Sequence, residues 1–290
     1  MKRTVFCALV AVACVFKIGV PLPVVKAQIA NTRGQNVVPV YEGWRTNPDG
    51  TKTMFFGYFS RNNEERMNIA LGESNSFEPG PPDRGQPTHF YPRRQQFVFG
   101  VVIPADFGQK DLVWTLTSQG KTEKAYGSLR EIYEIDNELI AKNMGAGSFG
   151  LMLAHEDKPP TVTVEPTQAS LASVSDVLSL SATVNDDGVP PPVPASTAGT
   201  RGRGGDTGVF INVPVKAEPR RPRGLSIEWL QLRGPGMVTF GATGYTSVTN
   251  GGSASTTARF SVPGTYVLRA VGSDSLLFGV KDITVNVAGR

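Results

Sequence analysis

The segment Val177-Leu178-Ser179-Leu180-Ser181-Ala182-Thr183-Val184 alternates apolar and small polar residues from Leu178 onward. Because successive side chains of a β-strand point to opposite faces of its sheet, the alternation predicts a strand with one buried face. Other apolar segments bounded by Gly, Pro or Asn occur at residues 161–164, 225–232, 238–240, 258–262, 264–271 and 280–287. Their spacing and polarity predict a β-sandwich over residues 161–288.

The preceding residues, 36–150, predict a second β-rich domain of mainly antiparallel strands. Asn47-Pro48-Asp49-Gly50 supplies the turn of a hairpin between residues 37–41 and 54–59. Further strands are predicted at residues 67–71, 95–103 and 111–117. A short helix is predicted within 128–144, because Ser128 and Glu131 have capping-box spacing; an edge strand at 131–135 is the alternative.

Composition divides the chain further. A length of 290 residues suits two domains, and 32 Gly with 22 Pro favour strands and turns over helices. Paired prolines at Pro159-Pro160 place a linker at residues 151–160. Residues 188–224 are rich in Pro, Gly and Arg, so they predict a disordered or extended insertion with one short strand at 209–215.

The first 27 residues predict a secretory signal peptide. Lys2 and Arg3 precede an apolar run at 5–16, and Val25-Lys26-Ala27 resembles a cleavage site, so the mature chain is expected to begin near Gln28. An uncleaved anchor is disfavoured because Lys17 and prolines interrupt the run, and a lipoprotein modified at Cys14 is disfavoured because its flanking residues lack a leucine. The protein is therefore predicted to be exported to the periplasm, the cell surface or the extracellular space, with no transmembrane segment after cleavage.

Removal of this leader changes the charge and the cysteine content. The leader holds four basic residues and no acid, so 29 basic against 25 acidic residues become 25 against 25. The mature chain therefore has no basic surplus that would indicate a nucleic-acid partner. Both cysteines, Cys7 and Cys14, also lie in the leader. The mature chain is expected to have neither a disulfide nor a thiol nucleophile.

The C-terminal half resembles a known family, the polycystic kidney disease (PKD) type of immunoglobulin-like domain. The resemblance rests on Asp186-Asp187-Gly188, Trp229, Gly234-Pro235-Gly236, Thr257-Ala258-Arg259-Phe260-Ser261 and Pro263-Gly264-Thr265-Tyr266. It implies that Trp229 is buried between two sheets and that Pro263 to Tyr266 turn into a late core strand. It also implies a spacer or interaction module, although a fold does not identify a ligand. The N-terminal domain resembles no family.

No catalytic set, metal centre or cofactor motif is predicted. His89 and His155 are the two histidines, far apart in the chain, and no serine has the strained elbow of a hydrolase. Gly145, Gly147 and Gly150 are interpreted as a flexible turn, and residues 201–205 as a solvated linker. Asp186 and Asp187 lie at a predicted turn and could contribute to a calcium site, but few acids are near them in sequence.

The sequence offers five candidate ligand-binding residues: Trp44, His89, Tyr91, Arg93 and Arg94. Four of them lie in or beside the long connection 72–94, and connections of this length are commonly functional. Aromatic rings stack on sugars, and arginines bind carboxylates or phosphates. The alternative is that this connection covers the sheet and its aromatic rings belong to the core.

These observations favour an exported, non-catalytic binding or structural protein of the cell envelope or extracellular space. Its expected partner is an envelope protein or polysaccharide, with no nucleic acid. Two alternatives stay open. One is a secreted glycosidase that uses two carboxylates, with Glu42, Glu73, Glu78 and Asp83 as candidate acids. The other is a subunit of an envelope protein assembly that pairs through exposed β-edges.

Overall fold

The computed structural model of the chain describes residues 32–191 and 222–289. The predicted signal peptide, most of the predicted insertion and its strand at 209–215 lie outside these residues. Strands dominate, which confirms the mainly β fold class. The strands are β1 (Val37–Thr46), β2 (Lys52–Ser60), β3 (Met67–Asn68), β4 (Asn75–Glu78), β5 (His89–Phe90), β6 (Arg93–Ile103), β7 (Leu112–Ser118), β8 (Lys121–Gly127), β9 (Thr161–Glu165), β10 (Gln168–Leu171), β11 (Leu178–Asn185), β12 (Ser226–Arg233), β13 (Val238–Phe240), β14 (Thr246–Ser247), β15 (Ser253–Phe260), β16 (Gly264–Ser273) and β17 (Phe278–Val287).

Strands β1 to β8 form the N-terminal β region, residues 37–127. Its two three-stranded sheets have the orders β1-β2-β6 and β4-β7-β8. The predicted hairpin is confirmed: β1 pairs antiparallel with β2, and the N–H of Gly50 donates to the Asn47 carbonyl at 3.0 Å. Gly50 has a φ of +83°, a conformation that favours glycine.

The core side chains of this region come from alternate positions along its strands. Met54, Phe56 and Tyr58 are buried on one face of β2, as are alternate residues of β7. The ring of Trp114 on β7 stacks on Phe77 of β4, with ring centroids 5.9 Å apart. Full burial of one such aromatic side chain contributes about 1.5–3 kcal/mol, so this cluster is a main source of the region's stability.

Strands β9 to β17 form an immunoglobulin-like β-sandwich, residues 161–287. A five-stranded sheet with the order β10-β17-β16-β12-β14 and a four-stranded sheet with the order β13-β15-β11-β9 share one apolar core. Leu178, Leu180 and Ala182 of β11 point into this core while Ser179 is exposed, so the alternation predicted the strand correctly. Trp229 on β12 is also buried in this core, as expected from the resemblance.

The turn into β16 fixes one edge of the sandwich core. Tyr266 is fully buried, and its hydroxyl donates to the carbonyl of Val262 at 2.7 Å. Gly234 lies against the face of this ring, and a Cβ atom at position 234 would collide with it. The glycine therefore lets β12 approach the tyrosine, which explains why the segment Gly234-Pro235-Gly236 contains no larger residue there.

The helix predicted within residues 128–144 exists but begins later. Helix α1 (Asn137–Asn143) is capped by Asp136, whose Oδ1 accepts from the N–H of Leu139 at 2.8 Å. Ser128 is no cap; it is buried, and its carbonyl accepts from the Tyr41 hydroxyl at 2.8 Å. The alternative edge strand at 131–135 is wrong, because Glu131–Tyr133 form a 3-10 helix.

Two helices and a third apolar cluster lie between the β regions. Helix α2 (Ser148–Ala154) follows α1 and includes part of the predicted linker 151–160, after which the chain is extended into β9. The cluster contains Phe97 of β6, Ile140 of α1, and Leu276 and Leu277 beside β17. It therefore joins residues of the N-terminal β region to the sandwich. Within the described residues, no helix is long and apolar enough to span a membrane.

Candidate functional site

The connection predicted to hold ligand-binding residues packs on the sandwich. Its central part, residues 79–92 between β4 and β6, is called the docking segment. The N–H of Thr88 donates to the Leu232 carbonyl at 3.1 Å, and the Thr88 hydroxyl accepts from the N–H of Gly234 at 3.1 Å. The N–H and the hydroxyl of Thr88 are thus hydrogen-bonded to β12 and the residue after it, about 145 positions later in the chain.

A charged pair reinforces this contact. The guanidinium of Arg233 donates to both carboxylate oxygens of Asp83, at 2.6 and 3.1 Å, and its Nε donates to the Gln86 carbonyl at 2.7 Å. The hydrogen bonds from Arg233 hold the pKa of Asp83 below its ordinary value. Bidentate ion pairs of this kind fix the relative orientation of the two side chains and also add interaction energy. Arg233 therefore fastens β12 to the docking segment at a defined orientation.

Trp44 and His89 are both buried. Trp44 is 6% exposed, and its Nε1–H donates to the Arg130 carbonyl at 3.0 Å. Nδ1 of His89 lies 2.7 Å from Oδ1 of Asn68. Since an amide oxygen only accepts, this contact assigns the proton to Nδ1 and leaves Nε2 as an acceptor. Nε2 is buried and has no hydrogen-bond partner.

The other three predicted residues also have partners within the chain. The hydroxyl oxygen of Tyr91 accepts from the N–H of Gln231 on β12 at 2.8 Å. Arg94 donates to both oxygens of the buried Glu42 at 2.7 Å, and the Arg93 N–H donates to the Asn62 carbonyl at 3.2 Å. Ligand binding by the five residues stays a prediction, but the structure explains their positions by internal contacts.

His89 and Tyr91 line one cleft between the N-terminal β region and the sandwich, whereas Trp44, Arg93 and Arg94 do not line it. Glu228 and Arg269 line its sandwich side. Burial lowers the pKa of His89 to about 4, with a smaller effect from Arg66, so the imidazole is neutral at pH 7. The cleft volume is about 120 Å³. Typical ligand pockets measure roughly 300–1,000 Å³, so this cleft is too small for an oligosaccharide.

A larger and more open groove lies on the N-terminal β region. It has a volume of about 550 Å³, and residues 67–71, 73–74 and 117–119 line it. Leu71 is 39% exposed at its surface, and Glu73 and Gln119 add polar groups. None of the five predicted residues lines this groove. Sequence patterns did not indicate it, because its residues come from two separate segments of the chain and include no aromatic ring.

Four aspartates come together at one end of the sandwich. Asp186 and Asp187 follow β11, Asp274 lies in the turn between β16 and β17, and Asp157 precedes β9. The pKa of Asp157 is raised to about 8, mainly by burial and secondarily by repulsion from the other three carboxylates. Burial also raises the pKa of Asp274 to about 6, although two backbone N–H groups oppose this. Asp157 and Asp274 were missed in the sequence because the first looked like linker and the second like an ordinary turn.

Within residues 32–191 and 222–289, no group of three or more His, Cys, Asp or Glu side chains could hold a metal ion. The aspartate cluster is therefore a set of neighbouring carboxylates and not a finished coordination shell.

No protein-family model matches the chain. No curated protein matches it either. Solved structures that match the chain include the C. elegans MSP family member WR4, with 9% identity over 44% of this chain and 97% of that one, at a TM-score of 0.27. Domains 4 and 5 of the S-layer protein SbsC match at 10% identity over 62% of this chain and 66% of that one, with a TM-score of 0.25. The D00–D0 domain of intimin matches at 11% identity over 87% of this chain and 100% of that one, with a TM-score of 0.27. Scores this low carry no information about function.

Proposed function

We propose that the protein is an exported, non-catalytic structural or binding module. In this proposal the sandwich is a PKD-like spacer, and it holds the N-terminal β region in a fixed orientation for contact with a protein or polysaccharide of the envelope or the extracellular space. The observation that carries the proposal is the docking segment, whose backbone and side chains bind β12 directly.

The contacts of the docking segment are numerous enough to hold that orientation. Thr88, Tyr91 and Gln86 each share a hydrogen bond with β12 or with the residue after it, and Arg233 adds the pair with Asp83. A neutral hydrogen bond contributes about 0.5–1.5 kcal/mol net. An apolar contact between Phe97 and Phe278, with ring centroids 6.4 Å apart, adds to them. A spacer needs this kind of stiff joint.

The carboxylates of the N-terminal β region support a non-catalytic function. Glu42 is paired with Arg94, Asp83 with Arg233 and Glu78 with Lys124. A glycosidase needs two carboxylates that face the same substrate on either side of the scissile bond. Three of the four candidate acids are thus held by cations. The fourth, Glu73, lies in the open groove without another of these acids lining it.

The open groove is the proposed contact surface. It is the larger of the two concave surfaces described above, it lies on the N-terminal β region, and neither Asp83 nor Arg233 lines it. Leu71 offers an apolar contact, while Glu73 and Ser74 offer hydrogen-bonding groups. Polar groups beside a few apolar side chains suit a hydrated polymer or a polar protein surface.

The test is a depletion assay with the mature chain from Gln28 onward. The protein is mixed with peptidoglycan sacculi and a panel of insoluble polysaccharides, and the protein left in solution is measured. We expect depletion by one polymer, lost in Leu71→Ser and retained in Val262→Ser, a control on the sandwich with the same 39% exposure. Equal depletion of both variants would exclude the groove as the contact surface. No depletion by any polymer would overturn the proposal that the partner is a polysaccharide. Turnover of chromogenic glycosides would contradict the non-catalytic proposal.

A further inference from the structure

Helix α2 is apolar on almost every side. Its seven residues, Ser148-Phe149-Gly150-Leu151-Met152-Leu153-Ala154, include one polar side chain, that of Ser148. A helix on the surface of a globular protein normally turns a polar face to solvent, whereas a helix that is hydrophobic all round is buried. The sequence of α2 is therefore typical of a helix with neighbours on more than one side.

In the part of the chain that the structure describes, only one side of α2 is buried. Ala154 is fully buried, and a Cβ atom added at Gly150 would lie 2.9 Å from the side chain of Leu276. On the other side, Phe149 is 68% exposed and Met152 is 64% exposed. These two residues are three positions apart, so their side chains are neighbours on the helix surface. Phe149 and Met152 together are called the α2 face.

The helices beside the α2 face carry an excess of acidic side chains. Helix α1 packs against α2, and the carboxylate of Glu138 on α1 lies 3.6 Å from Nδ1 of His155, the residue after α2. Five acids and one lysine are the exposed charged side chains from residue 131 to residue 156: Glu131, Glu134, Asp136, Glu138, Glu156 and Lys142. Arg130 and Lys158, just outside this stretch, reduce the excess without reversing it. Since the chain from Gln28 onward has 25 acids and 25 bases, this surface is locally negative.

The negative charge discriminates between possible occupants of the α2 face. A second copy of the chain would bring the same acids against each other, and juxtaposed like charges are unfavourable. An anionic membrane surface would be repelled for the same reason, because it attracts basic segments. A polypeptide with Lys or Arg beside bulky apolar side chains could contact Phe149 and Met152 while its cations approach Glu138 and Glu156. Charge complementarity therefore favours a basic protein segment.

We propose that the α2 face is a docking surface for a basic amphipathic segment of a partner protein. Amphipathic helices bind in this way, by laying an apolar stripe on an apolar surface of the partner. Two large apolar anchors with acids beside them suit a transient complex, because permanent interfaces are larger and more hydrophobic. The proposal adds a second contact surface to the protein, because no residue of α1 or α2 lines the open groove.

The test uses the mature chain from Gln28 onward and a fluorescent probe peptide built from Leu and Lys. A length of about 18 residues lets the peptide form an amphipathic helix. Fluorescence anisotropy should show saturable binding that weakens between about 50 mM and about 500 mM NaCl, because salt screens the charge attraction. Phe149→Ser and Met152→Ser should each weaken binding by at least about fivefold. Val102→Ser, at a 60% exposed valine of β6, should bind the probe like the parent.

A thermal control shows whether the α2 face is free in the protein. The Tm of Phe149→Ser should stay within about 2 °C of the parent, because an exposed side chain contributes little to stability. A larger fall would show that another part of the chain already covers Phe149, and the proposal would fail.

Three further results would also overturn the proposal. The first is no saturable binding of the probe by the parent, or equal binding by Phe149→Ser. The second is equal binding of a peptide with Glu in place of Lys, which would remove the charge argument. The third is self-association in sedimentation, or binding to vesicles with anionic lipid, that is lost in Phe149→Ser; either would assign the α2 face to another occupant. No glycan is present, so this test and the depletion assay fail independently.

Discussion

The neutral, buried His89 predicts a pH-dependent loss of stability. Its folded pKa is about 4, against an unperturbed value of 6.5. Between these two values the unfolded chain binds a proton that the folded chain excludes, so stability falls as the pH decreases through this window. One pKa unit corresponds to about 1.36 kcal/mol, and the imidazole is almost fully buried. We therefore expect His89 to remove about 3 kcal/mol of stability between pH 7 and pH 4.

The assay compares the parent with His89→Gln by urea unfolding at pH 7, 6, 5 and 4. Glutamine has an amide that does not titrate, so the other acids contribute equally to both proteins and cancel in the difference. The parent should lose about 3 kcal/mol more than the variant over this range, most of it between pH 6 and pH 4. Parallel curves for the two proteins would show that His89 is protonated in the folded state, and the burial argument would be wrong.

Four further predictions test the fold and the predicted signal peptide. Leu180→Ala should cost about 2–5 kcal/mol in urea unfolding, whereas Ser179→Ala on the exposed face should stay within about 0.5 kcal/mol. Gly234→Ala should lower stability by about 1–3 kcal/mol, because the added methyl group meets the ring of Tyr266; an unchanged Tm would refute this packing. Arg233→Ala and Asp83→Ala should show a coupling energy of about 0.5–3 kcal/mol in a double-mutant cycle, and additive effects would exclude the pair. Intact mass of the exported protein should correspond to a chain beginning near Gln28, and a mass that includes residues 1–27 would refute cleavage.

Sequence patterns predicted correctly those elements whose conformation is determined by residues close to one another in the chain. The alternation in β11 and the Asn47–Gly50 turn each depend on neighbouring residues, and both appear in the structure. The helix after Ser128 was placed too early, because Asp136 is also a good N-cap and lies directly before the helix-forming residues. The short strand β4 was missed because three or four residues are too few to show a period.

The candidate sites depended on contacts that no local pattern contains. Tyr91 looked like a ligand-binding aromatic residue, but its hydroxyl meets Gln231, 140 positions later. Asp186 was noted as a calcium candidate without enough acids nearby in sequence. The fold brings Asp157 and Asp274 near it, but among the described residues no group of three such side chains could hold a metal ion. Pairings between distant segments follow from the whole sheet topology, so a motif search in one sequence does not find them.

The proposed function requires a rigid contact between the N-terminal β region and the sandwich, and backbone residual dipolar couplings measure that rigidity. If the docking segment holds the two regions as one body, couplings from β1–β8 and from β9–β17 of the mature protein should fit a single alignment tensor. Arg233→Ala should reduce this agreement. Two alignment tensors of different magnitude in the parent protein would show that the regions move independently, and the spacer proposal would then fail.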